Sequence, residues 1–147
     1  MTDLNDFGRV SLADHALCVL ATARADATIQ ASVISAGVLD HPITGVPVAG
    51  LVAAGGTRKL ENLRSRPRAT IVARAGWEWV TVEGAVELIG PDDPSPNFDA
   101  DALRLLLRDV FSAAGGQHDD WDEYDRVMAE DRRTVVFITP ERVYSNG

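Results

Sequence analysis

The residues best suited to chemistry lie in one short run, Val52-Ala-Ala-Gly-Gly-Thr-Arg-Lys-Leu-Glu-Asn-Leu63. Val52, Ala53, Ala54 and Gly56 carry little or no bulk, so a flat ring can lie directly against backbone there. Thr57 is a good N-cap for a following helix. The first turn of a helix leaves its amides unpaired and places the positive end of its dipole beside them. Arg58 and Lys59 add charge at the same place, and phosphate is the anion this arrangement suits best. Neither a P-loop nor a Gly-x-Gly-x-x-Gly run is present. Two readings stand on these residues alone: a site for a planar, phosphate-bearing ligand at a strand-to-helix junction, or a plain glycine turn with a capped helix.

Other candidates are weaker. Trp77 and Trp79 lie two apart on a strand and so share a face, which needs cover from the C-terminal helices or from a partner subunit. His118-Asp119-Asp120 matches no metal-ligand spacing and follows Gly115-Gly116, as a solvated loop would. His15 and His41 are isolated. No Ser-His-Asp arrangement is recognisable and no acid or base stands out as catalytic. Cys18, the only cysteine, sits in an apolar run and reads as packed.

The elements that must position the junction follow from periodicity and punctuation. Residues 11–17 are consistent with a short helix capped by Ser11. Residues 17–23 read as a strand, and residues 29–38 as a second, where Gln30, Ser32 and Ile34 alternate with Ala31, Val33 and Ser35. Residues 48–54 form a third strand, small and apolar throughout. The helix opening at Thr57 points Leu60 and Leu63 to the core and stops at Arg66-Pro67. Strands follow over 69–75 and 77–89, with Val80, Val82, Val86 and Leu88 on the apolar face of the latter. Leu103, Leu106, Leu107, Val110 and Phe111 show helical spacing that ends at Gly115-Gly116. A second short helix carries Trp121, Tyr124 and Met128, and a last strand runs from Thr134 through Tyr144. Parallel βαβ alternation is absent, so the pattern predicts one mainly β domain over residues 1–147: a small, mostly antiparallel barrel with flanking helices.

The chain has 147 residues and a formal net charge of −8. An acidic balance disfavours nucleic-acid binding. No stretch is long and apolar enough to cross a membrane, and the acidic start lacks the pattern of a secretory signal. With one cysteine, these features fit a reducing cytoplasm. Against the overall charge, Arg58, Lys59, Arg64, Arg66, Arg68 and Arg74 crowd one segment with only Glu61 among them, which suggests a local site for a small anion or a solvated cationic face.

The block Thr57-Arg-Lys-Leu-Glu-Asn-Leu-Arg-Ser-Arg-Pro-Arg-Ala-Thr70 resembles the signature of the flavin/deazaflavin oxidoreductases, the split β-barrel family related to pyridoxamine 5′-phosphate oxidase. Gly76-Trp-Glu-Trp-Val-Thr-Val-Glu-Gly84, Asp120-Trp-Asp-Glu-Tyr124, Asp131-Arg-Arg-Thr-Val-Val136 and Pro140-Glu-Arg-Val-Tyr144 follow in the family's order. The likeness is closest to short actinobacterial-type members that use coenzyme F420. It implies a homodimer with cofactor sites between the subunits. Lys59 matches the position that contacts the cofactor phosphate, and Thr57 and Arg58 match tail-binding neighbours. Residues 52–54 match the strand whose backbone lies along the ring. Gln30 and Ser32 match a strand lining the same pocket, and Trp77 and Trp79 match positions near the dimer interface. Thr57, Val33 and Val52 depart from residues found in some relatives, which leaves backbone as the main grip on the ring.

The resulting expectation is an F420-dependent oxidoreductase that passes a hydride to an unsaturated or quinone-like small molecule. An FMN-binding enzyme of the same barrel is the near alternative. A non-catalytic binder of F420, flavin or haem is the alternative of a different class.

Overall fold

Strands that alternate dry and wet side chains bury half their residues, and closing such strands into a barrel seals the dry face. In the computed structural model, which describes residues 1–147, six strands close in the order β1-β2-β3-β6-β5-β4. They are β1 (Leu17–Ala23), β2 (Ile29–Asp40), β3 (Pro47–Ala53), β4 (Arg68–Ala75), β5 (Glu78–Ile89) and β6 (Thr134–Ser145). All neighbouring pairs are antiparallel. Four helices flank them: α1 (Leu4–Ala13), α2 (Arg58–Ser65), α3 (Ala100–Ala113) and α4 (Trp121–Glu130). None is long and apolar enough to cross a membrane.

The barrel interior gathers Leu20, Leu51, Ile71, Val82, Val136 and Ile138, with Val86 and Leu88 at its margin. Phe7 and Val10 of α1 and Leu60 and Leu63 of α2 join that core. A second apolar cluster forms outside the barrel, where Leu106, Leu107 and Val110 of α3 and Tyr124 of α4 cover Val48, Val135 and Phe137. β3 is therefore buried on both faces over much of its length, which explains why its sequence does not alternate. β6 would lose register with the core beyond Pro140, but Glu141 bulges out between the partners of Glu83 and Gly84. The extra residue returns Val143 to the inner face opposite Val82.

Two elements differ from expectation. The first helix begins at Leu4, not near Ser11. Asp3 and Asp6 form a reciprocal capping box there, each side chain accepting from the other's backbone N–H. Ser11 is fully buried in the last turn and donates its hydroxyl to the Ala36 carbonyl at 2.7 Å. Trp77 lies in the two-residue turn before β5 and not within the strand.

The ladder between β2 and β3 covers only Ala36–Asp40 and Pro47–Leu51. Beside its last rung, Gly37 faces Gly50, and α3 crosses against them. A Cβ on Gly37 would sit 2.1 Å from the Ala113 carbonyl oxygen, so only glycine allows this approach. Gly37→Ala should push α3 off the sheet and cost about 1–3 kcal/mol, in the range of an overpacked site. Chemical denaturation measures this, and a wild-type midpoint would show that α3 is not seated as described.

Candidate functional site

Beyond Ala36 and Leu51 the two strands part. β2 continues from Ser35 back to Ile29 paired only with β1, and Val52 and Ala53 of β3 pair only with β6. The edges facing each other across this split therefore have no strand partner, and their backbone groups are free for a ligand. The split opens into a cleft of about 460 Å³. Val33, Ile34 and Ser35 form one side of it, and Val52, Ala53 and Ala54 the other. Val110 and Phe111 of α3 and Tyr124 and Met128 of α4 form an apolar wall, and Thr57, Lys59 and Arg133 supply the polar lining.

The junction between β3 and α2 leaves its amides available. Gly56 turns the chain with φ +75°, a conformation that favours glycine. Gly55 anchors the turn by donating its N–H to the Asp131 carbonyl at 2.9 Å. Thr57 occupies the N-cap position, but its hydroxyl donates back to the Ala54 carbonyl at 3.0 Å and no side chain caps α2. The first-turn amides and Lys59 are thus left facing the same end of the cleft.

The basic segment is less basic in three dimensions than along the chain. Arg64 pairs with Asp93 and Arg68 with Glu141. Arg66 donates to the Ala23 carbonyl, and Arg74 to that of Gly76. Arg58 and Lys59 take no part in these contacts, so the free charge of the segment collapses onto the start of α2.

Of the residues singled out in the sequence, Val52, Ala53, Ala54, Thr57 and Lys59 come together in the cleft. Gly56 turns the chain beside it. Arg58 faces a neighbouring polar cavity of about 410 Å³ that Arg24 and Arg66 also line. Gln30 and Ser32 do not line the cleft. They lie on the opposite face of β2 from Val33 and Ser35. Gln30 accepts from Asn62 of α2, whose amide also donates to Thr22, in a small polar cluster beneath the helix. Trp77 and Trp79 stand away from the cleft, and neither is covered by α3 or α4. Trp79 packs edge-on against Tyr144, and Trp77 is 94% exposed. His118 packs near Trp121 and Tyr124 and accepts from the Asp120 N–H, as a loop residue would.

Sequence reasoning missed Arg133, Ser35, Phe111, Tyr124 and Met128. The helical residues carried a signal of amphipathic spacing, which reads as core, and in fact serves both core and cleft. Arg133 carried no signal beyond its type. Tyr124 donates its hydroxyl to the Leu107 carbonyl at 3.0 Å, and burial pushes its pKa up to about 12. It therefore stays protonated near neutrality, with its hydroxyl turned to that carbonyl. The α3–α4 wall is clipped by Asp125, which receives Arg108 in a two-pronged contact and Arg104 at 3.4 Å. The Arg108 guanidinium holds the Asp125 carboxyl below the usual carboxylate range.

The architecture is a closed antiparallel barrel, parted between two strands and walled there by a helical pair. The sequence matches the pyridoxamine 5′-phosphate oxidase family over residues 8–147, and the chain belongs to that family. Among solved structures, a conserved hypothetical protein of Mycobacterium tuberculosis is 20% identical with a TM-score of 0.69, the match covering 99% of this chain and 84% of that one. An F420 reductase is 18% identical with a TM-score of 0.58, over 90% of this chain and 92% of that one. An FMN-binding protein of Nostoc punctiforme, related to pyridoxamine 5′-phosphate oxidase, is 17% identical with a TM-score of 0.60, over 95% of this chain and 77% of that one. At these identities the likeness to each structure is one of fold.

The clip on the wall predicts a pH dependence. Because the folded Asp125 pKa is depressed, its stabilisation is complete above the unfolded value of about 4 and is lost as pH falls through the folded value. Asp125→Asn should lower the melting temperature by a few degrees near neutrality. The gap to wild type should close in acid, and a gap independent of pH would remove the ionic role.

Proposed function

We propose that this protein binds coenzyme F420 in the split and acts as an oxidoreductase toward an unsaturated or quinone-like small molecule. The observation that carries this reading is the convergence on one cleft of two unpaired strand edges, the uncapped start of α2 and the unpaired Lys59. The backbone of Val52, Ala53 and Ala54 would lie along the ring, and Lys59 with the α2 amides would hold the phosphate. Arg133, which also pairs with Asp131 at 3.3 Å, lines the same cleft.

The adjoining cavity favours F420 over FMN. Arg24, Arg58 and Arg66 line it, against Asp26 and Glu61, on the other side of the α2 start from Lys59. An anionic tail extending past the phosphate would meet these guanidiniums, whereas FMN ends at its phosphate. When bound, the deazaflavin supplies the hydride. The chain's own residues hold the ring edge by backbone, anchor the anion, and keep water off one face with Phe111 and Met128. FMN is the second reading, because Lys59 and the α2 amides suit its phosphate equally well.

A homodimer completes this proposal. The outer barrel face carries a cross-strand row Val33–Val19–Val72–Thr81–Tyr144 over five strands. Val33 is 65% exposed and Leu17 beside the row is 44% exposed, a loss that a second copy would recover. Proteins of this fold commonly dimerise. Val33 belongs both to the row and to the cleft lining, so a partner seated here reaches the mouth of the site.

Fluorescence titration with F420 and, separately, FMN tests the cofactor. F420 should bind more tightly, and Lys59→Ala should weaken it about 10- to 100-fold, the value of one charge-assisted contact of roughly 1.5–3 kcal/mol. Unchanged affinity in Lys59→Ala would remove the phosphate assignment, and preference for FMN would select the second reading. Light scattering after gel filtration tests the assembly. Val19→Asp should give a folded monomer, and a dimeric Val19→Asp protein would put the interface on another face.

A further inference from the structure

The end of α4 is built with an unfavoured residue. Its last turn closes as a Schellman motif, with the Arg132 N–H donating to the Ala129 carbonyl at 3.2 Å and the Arg133 N–H to the Met128 carbonyl at 3.0 Å. Arg132 holds the left-handed position of that motif at φ +50°, where glycine is the usual occupant. A side chain persists at such a position only where its surroundings impose it. Here the Arg132 guanidinium pairs with Asp92, 40 residues away in sequence.

Asp92 lies in a rigid turn that extends β5. Gly90 and Asp93 exchange backbone hydrogen bonds at 3.2 and 3.0 Å, and the Pro91 ring fixes one of the two residues between them. The neighbouring Asp93 receives Arg64 in a two-pronged contact of 2.8 and 2.7 Å. Arg64 belongs to the last turn of α2. One turn therefore binds the end of α4 through Asp92 and the end of α2 through Asp93.

The circuit closes at the other end of α2. The backbone of Asp131 and Arg132 is the seat of the β3–α2 turn: Gly55 donates to the Asp131 carbonyl, and a Cβ on Gly55 would meet the Arg132 carbonyl oxygen at 2.8 Å. α2 is thereby held at both ends by one frame. The same frame carries α4, whose Tyr124 and Met128 wall the cleft.

Resting on the cofactor reading above, we propose that Asp92 and Asp93 form a strap that fixes the start of α2 relative to the α4 wall, and that Arg64, Asp92, Asp93 and Arg132 are positioning residues for the bound phosphate. None of the four lines the cleft. They act through Gly55 and the α2 amides. The span from the anion end of the cleft to its wall is set before a ligand arrives, so less ordering is left to be done on binding. An exposed ion pair such as Arg132 with Asp92 adds little to stability, so the strap shows itself in affinity and not in melting.

Fluorescence titration with F420 into Arg132→Gly and Asp92→Ala separates the strap from a plain charge effect. By charge alone, loss of the cation should weaken an anion and loss of the carboxylate should tighten it. The strap requires both variants to bind F420 more weakly, by about three- to five-fold each, the scale of one exposed ion pair. The double variant should lose no more than either single one, since both cut the same link. Arg132→Gly also relieves the left-handed backbone, so it should melt no lower than wild type. In the cofactor-free protein the Gly55 amide, followed by NMR hydrogen exchange, should exchange faster in both variants. Wild-type F420 affinity in both variants, or tighter binding by Asp92→Ala, overturns the strap and leaves the cofactor reading standing. Failure of F420 to bind wild type overturns the cofactor reading instead. The Gly55 exchange rate then decides the strap alone, and a wild-type rate in both variants removes it.

Discussion

The parting of β2 from β3 after a five-rung ladder is the constraint from which the rest of this structure follows. A barrel that closed fully would satisfy every edge and offer a ligand nothing but side chains. A barrel that parts exposes two backbone edges with their polar groups aimed across a gap. The gap then needs walls, because water on both sides would leave the apolar outer face of β3 and β6 uncovered. α3 and α4 cover it, and the Gly37–Gly50 pair lets α3 sit close enough to serve as both lid of the outer core and side of the cleft.

The same constraint explains which features were legible in the sequence. The strand-to-helix junction at residues 52–59 was readable because small residues, a turn and cations are adjacent along the chain. The succession of strands and helices along the chain and the inner face of β5 were readable from spacing, whereas the order of strands around the barrel was not. The inner face of β2 was misleading at Gln30 and Ser32. The resemblance sets both beside the ligand, but Gln30 points beneath α2, where it accepts from Asn62. Ser11 misled for a related reason. A serine before an apolar run looks like a cap, yet the Asp3–Asp6 pair caps the helix and Ser11 is spent on the Ala36 carbonyl.

What could not be read was set by contacts distant in sequence. Arg64 and Arg68 look like part of an anion site until Asp93 and Glu141 arrive from 29 and 73 residues away. Arg133 and Tyr124 belong to the cleft only because β6 pairs with β3 and α4 folds back over α3. Composition and local spacing carry no record of such pairings. The resemblance to a known family agreed with the barrel that the strand pattern predicts, and it placed Gln30 and Ser32 on a pocket strand whose cleft-lining residues are Val33, Ile34 and Ser35.

One electrostatic question decides whether an anionic ligand suits this protein at all, since the chain carries a formal charge of −8. Net charge acts over distance, and at physiological salt it is screened beyond about 8 Å. Several carboxylates are also already paired: Asp92 with Arg132, Asp93 with Arg64, Asp125 with Arg108 and Glu141 with Arg68. Each such pair is close to neutral a few ångströms away. Lys59 and Arg58 remain uncompensated at the positive end of a helix whose first amides have no cap. A ligand phosphate within hydrogen-bonding reach therefore experiences the local cations and amides far more strongly than the distant surplus. The acidic balance slows the approach of anions in general and does not govern the one that docks.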